Sequence, residues 1–176
     1  MVNKVSTSYD KYFFDFNLIN FIVVFLNFTC SAIVSLSSAF FAVYWKDVLS
    51  VSIFVFALVT AFIGKVLKYI LAHKRPSTKE KENIRTSYGM PSSHANSLFY
   101  FVSFLTTYYT QQQNDVKLAL QICFCTSLYT IIVLYARIFI NKDHTILQCV
   151  AGCLSGSLLG YLACTYGYHW IENNFY

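Results

Sequence analysis

No charged residue occurs from Phe16 to Trp45, and this uncharged stretch limits the fold more than any other feature of the chain. It exceeds the roughly 20 apolar residues that a helix needs to cross the hydrocarbon of a bilayer. Four more apolar stretches follow: Val48 to about Ala72, interrupted by Lys65 and Lys68; about Ser93 to Tyr109; Leu118 to Ile140, with Arg137 near its end; and Ile146 to about Tyr168. None alternates as barrel strands do. Helices pair every backbone group within the segment, so each stretch is expected to form a transmembrane helix. Only 12% of the 176 residues are charged and 56% are hydrophobic, about half the charge of an ordinary soluble domain. The expected fold is all-α: a polytopic membrane bundle of about five helices, one domain over residues 1–176, its chemistry between about residues 60 and 165. The first run is too long for the apolar core of a cleaved signal and reads as an uncleaved anchor. The six cysteines lie in apolar stretches, lack zinc or disulfide spacing, and read as packing residues.

Five crossings bring Lys68, Arg75, Ser92, Ser93, His94, Arg137 and His144 to the same membrane face. Unrelated polar residues would not converge in this way. The net charge of +5 does not point to nucleic acid, because the basic residues sit at or near the ends of apolar runs rather than on a solvated face. All Lys and Arg except Lys46 and Lys117 fall on the side of the convergent residues, and the positive-inside rule would turn that side to the cytosol.

Each convergent residue has a physical use. Lys68 and Arg75, seven apart, are expected on one helix face, with Pro76 placing Arg75 at the helix terminus. A lysine inside an apolar span costs about 2.5–3.5 kcal/mol on insertion scales, so it usually has a task. Snorkelling to the headgroups accounts for Lys65 and Lys74. Pro91-Ser92-Ser93-His94 opens a helix, with proline suited to its first position. The free N–H groups and positive dipole end there favour an anion. Arg137 ends the fourth stretch and His144 opens the fifth. Two guanidinium forks, an ammonium, a helix N-terminus and two imidazoles together fit a phosphate. Phosphoryl transfer needs stabilised oxygens and a nucleophile. Asp143 is the sole carboxylate near the group, so the reading assigns the charge to the cations, the attack to a histidine, and no role to a metal or other cofactor.

These residues resemble the type 2 phosphatidic acid phosphatases, relatives of the vanadium haloperoxidases. In that family Lys is followed after six residues by Arg-Pro, as Lys68 is by Arg75-Pro76. The second motif, Pro-Ser-Gly-His or Pro-Ser-Ser-His, matches Pro91 to His94. The third is Ser-Arg, five residues, His, three residues, Asp. Here Ala136 replaces the serine, six residues separate Arg137 from His144, and Gln148 replaces the aspartate. Tyr88 to His94 and His144 to Gln148 look like the dolichyl-diphosphatase branch. The resemblance implies that Lys68, Arg75, Ser92, Ser93 and Arg137 hold phosphate, His144 attacks phosphorus and His94 protonates the leaving oxygen. It also implies a site facing the endoplasmic reticulum lumen, opposite to the side given by the positive-inside rule.

Gln148, four residues after His144, can accept the Nδ1 proton as the aspartate would, without its charge. Asp143 is the rival orienting group. The reading is thus an enzyme of the endoplasmic reticulum membrane that converts a polyprenyl or dolichyl diphosphate to the monophosphate, through a phosphohistidine. A broad phosphatase for phosphatidate and a catalytically silent binder of lipid phosphates are the alternatives. The implied partners are a lipid phosphate or diphosphate and the membrane lipids.

Overall fold

The computed structural model describes residues 36–76 and 88–176. Most of the first apolar run therefore lies outside the described residues, which retain only its end, helical over residues 36–44. Five α-helices follow: α1, Val48–Leu71; α2, Ser93–Thr107; α3, Val116–Tyr135; α4, Ile146–Leu162; and α5, His169–Phe175. Wider π-helical turns extend α2 through Tyr108–Gln112, extend α3 through Ala136–Ile140, and join α4 to α5 through Ala163–Tyr168. The fold is all-helical, as expected, and no strand occurs among the described residues.

Local chemistry explains where the helices begin. The Asp47 carboxylate accepts from Ser50 N–H at 2.6 Å and the Asp115 carboxylate from Leu118 N–H at 2.9 Å, each satisfying a donor that helix geometry leaves unpaired. At α4, Thr145 and Gln148 cap each other reciprocally, Thr145 accepting from Gln148 N–H and the Gln148 side chain from Thr145 N–H.

Three helical units are long and apolar enough to cross a membrane: Val48–Leu71, Val116–Ile140 and Ile146–Phe175. Their surfaces have the polarity a bilayer requires. Leu120, Phe124, Leu128, Ile131 and Tyr135, spaced three and four apart on α3, are all exposed, whereas Ala119, Thr130 and Val133 face inward. The apolar stripe points outward because the surrounding solvent is hydrocarbon.

The remaining expected span, α2, is shorter and more polar. Three other helices surround it, and Ala95, Asn96, Leu98, Tyr100, Val102, Phe104 and Thr107 are buried. Gly152, Gly156 and Gly160 make close packing against α4 possible. A Cβ on Gly152 would stand 2.6 Å from the Ser92 carbonyl oxygen, and one on Gly156 or Gly160 would strike the carbonyl of Asn96 or Tyr100. Small residues every fourth position let helix backbones approach in this way. Asn96, one turn into α2, donates to the Thr60 carbonyl of α1 at 3.3 Å and accepts from Ser155 of α4 at 2.7 Å. The glycine stripe and this polar brace align the starts of α2 and α4 beside the end of α1.

Candidate active site

Lys68 lies in the last turn of α1, half-buried. The helix ends sooner than the sequence implies. Ala72 adopts a left-handed conformation with φ 45° and donates its N–H to Lys68 O, so Arg75 lies beyond the helix rather than on its terminal face. Pro76 disfavours helix at Arg75 alone. The earlier stop comes from tertiary hydrogen bonding: His73 O accepts from Gly89 N–H at 2.7 Å and Lys74 O from the Gln148 amide at 2.8 Å. Arg75 nevertheless remains within electrostatic range of Lys68.

The segment 88–92 leads into α2. Ser92, fully buried, is the N-cap, with Pro91 before it rather than at the first helical position. Its hydroxyl makes no capping bond and lies beside the Cys149 thiol. Its N–H donates to Gln148 O at 3.0 Å. Ser93 is exposed, and the half-buried His94 ring lies within electrostatic range of Arg137, Asp143, Lys68 and Arg75.

Arg137 projects from the π-helical turn that ends α3. One terminal nitrogen, Nη1, is 3.3 Å from Asp143 Oδ2, and the other, Nη2, is 3.1 Å from His144 Nε2. The loop between Arg137 and His144 thus sets a carboxylate beside the arginine. Asp143 is paired with Arg137.

His144 is 2% exposed. Its Nδ1 faces two acceptors, the Gly89 carbonyl at 3.0 Å and Gln148 Oε1 at 3.3 Å. Nδ1 must therefore carry the proton, and Nε2 presents its lone pair towards the Arg137 N–H. Burial, followed by the charges of Arg137, Arg75 and Lys68, lowers the His144 pKa to about 3, against a smaller raising effect of the Gln148 hydrogen bond. The imidazole is neutral at physiological pH, as a nucleophile requires.

Gln148 accepts at His144 as the four-residue spacing implies, although the Gly89 carbonyl is closer. The sequence reading missed Gly89, His73 and the glycine stripe. Thr145-x-x-Gln148 and Gly152-x-x-x-Gly156-x-x-x-Gly160 were signals present in the sequence for the cap and the stripe. A backbone carbonyl leaves no such mark. Among the described residues, no group of three or more His, Cys, Asp or Glu side chains is placed to hold a metal ion.

Residues 49–176 match the PAP2 superfamily. Dolichyldiphosphatase 1 of Dictyostelium discoideum is 33% identical over 120 residues, 66% of this chain and 52% of that protein. The chain therefore spans about half the length of this curated relative. No solved structure matches. Since the matched region runs from the first turn of α1 through both site histidines to the end of α5, the chain belongs to the PAP2 superfamily.

Proposed function

We propose that this chain is an integral membrane lipid phosphatase that releases inorganic phosphate from a polyprenyl or dolichyl diphosphate. The observation that carries the reading is the His144 ring, neutral, with Nδ1 held by acceptors and Nε2 turned to Arg137. Superfamily membership supports the reaction class, and the similarity to a dolichyldiphosphatase supports the substrate class.

In this mechanism the terminal phosphate enters among Lys68, Arg75, Arg137 and the N-terminus of α2. Its oxygens take over the Arg137 N–H that faces Nε2. Nε2 attacks the terminal phosphorus as the bond to the bridging oxygen breaks, and His94 protonates that oxygen. The lipid monophosphate leaves. Water then attacks the phosphohistidine, with His94 accepting its proton, and phosphate departs. Preorganised cations supply the charge stabilisation. The endoplasmic reticulum membrane is the proposed location, with residues 1–176 acting as one catalytic domain.

Phosphate release by the purified full chain, measured in excess chelator on dolichyl diphosphate, phosphatidate and nitrophenyl phosphate, tests the proposal. The expected result is release fastest from the diphosphate and abolished by His144→Ala. Equal release by wild type and His144→Ala would overturn it, and preference for phosphatidate would reassign the substrate.

A further inference from the structure

Gln148 contacts three of the segments that carry the site. Its side chain is fully buried, with 0% exposure. Oε1 accepts from Thr145 N–H at 3.1 Å, while Nε2 lies 2.8 Å from Lys74 O and 2.9 Å from His73 Nδ1. Its backbone carbonyl accepts from Ser92 N–H at 3.0 Å. These partners determine which way the amide points. Thr145 N–H needs an acceptor and Lys74 O needs a donor, so oxygen faces the first and nitrogen the second. His73 Nδ1 lies against both ends of that bond, 2.9 Å from the amide nitrogen and 3.0 Å from Lys74 O, and its part as donor or acceptor depends on the tautomer.

Gly89 fits the same arrangement. A Cβ there would stand 2.5 Å from Gln148 Nε2, and the residue has room only because it lacks one. Its N–H bonds His73 O and its carbonyl faces His144. The amide, the His73–Lys74 backbone, Gly89 and the His144 ring thus form one closed hydrogen-bonded ring, and Arg75 is the next residue along that backbone.

We propose that Gln148 is a positioning residue for the phosphate-binding Arg75, clamping the His73–Lys74 segment to the start of α4, with His73 as its side-chain partner and the Gly89 carbonyl as the main holder of the His144 proton. This rests on the reading of the site as a phosphatase centre. A carboxylate could orient the histidine but could not donate to Lys74 O, so an amide serves both bonds where an acid serves one. The clamp acts on where the phosphate is held, and through that on affinity more than on the rate of attack.

Gln148→Glu separates the two roles, because it keeps the acceptor and removes both donors. In the full chain, steady-state kinetics with dolichyl diphosphate and inhibition by orthovanadate should show KM and Ki both raised about tenfold, as expected for losing donor bonds to buried groups, with kcat changed by less than about threefold. His73→Ala, which removes an exposed partner, should shift KM and Ki in the same direction by about threefold. Hydrogen exchange of the Gly89 amide, followed over residues 88–94, should accelerate in both variants. Wild-type KM, Ki and exchange in Gln148→Glu would overturn the proposal. So would a collapse of kcat at constant KM, which would make Gln148 an orienting group for His144 alone. Accelerated exchange in variants of a wild type that releases no phosphate would leave the clamp standing and defeat the enzymatic reading.

Discussion

The Nδ1 of His144 lies 3.0 Å from the backbone carbonyl of Gly89, a residue 55 positions earlier in the chain. The proton that decides which imidazole nitrogen is free is therefore held by main chain, at a position where a Cβ would meet the Gln148 amide. Gly89→Ala should displace either the carbonyl or the amide. We expect at least a tenfold loss of kcat, the scale of one hydrogen bond in the transition state. Phosphate release at matched protein levels checks this, and retention of more than half the activity would contradict it.

Asp143 and Arg137 lead to a second prediction. Their side chains are 13% exposed for Arg137 and 18% for Asp143 at a separation of 3.3 Å. A partly screened pair of this kind contributes modestly, about 1 kcal/mol, so Asp143→Asn should weaken orthovanadate binding about fivefold. kcat should fall far less than in His144→Ala. If Asp143→Asn is as damaging as His144→Ala, the carboxylate acts on the histidine itself.

The protonation of His144 provides a third. Its folded pKa is lowered to about 3, whereas an imidazole in the unfolded chain titrates near 6.5. The folded state therefore takes up this proton later than the unfolded state as pH falls. The sign follows: His144 weakens the fold progressively as pH drops from about 6.5 towards 3, and has no such effect above that range. Imidazole NMR of the ligand-free protein should show His144 neutral at pH 5. Orthovanadate should raise its midpoint by neutralising the arginines and Lys68. A free-protein midpoint at or above 6 would remove the electrostatic account.

The two histidines should separate by leaving group. His144→Ala should abolish release from every substrate, since the attack is lost. His94→Ala should cost on the order of 100-fold with the lipid but far less with nitrophenyl phosphate, whose leaving group needs no proton. Equal losses on both substrates would dismiss His94 as the acid.

The helix contact beneath the site can be tested by Gly156→Ala. Its Cβ would strike the Asn96 carbonyl, forcing α4 away from α2. Overpacking of this kind typically costs about 1–3 kcal/mol. Thermal melting in detergent should fall and phosphate release should fall with it, because the same contact aligns Ser92 with Gln148. An unchanged melting temperature together with wild-type release would show that the helices do not depend on this approach.

The sequence by itself determined the helices. The expected stretch from Val48 to Ala72 became Val48–Leu71, and the one from Leu118 to Ile140 became Val116–Ile140. Hydropathy is a local property, and a bilayer permits little else than a helix for such runs. The sequence also expected Lys68, Arg75, His94, Arg137 and His144 on one face, and the structure places Lys68, Arg75 and Arg137 within electrostatic range of both histidines. Only the tertiary structure decided how those groups are held. The end of α1 at Leu71, four positions before Arg75, the pairing of Asp143 with Arg137, and the contacts of His73 and Gly89 all depend on hydrogen bonds and ion pairs made by loops. His73 meets Gln148 across 75 residues of sequence and His144 meets Gly89 across 55. Residue identity shows that a donor or acceptor exists, but the path of the backbone determines which partner it reaches.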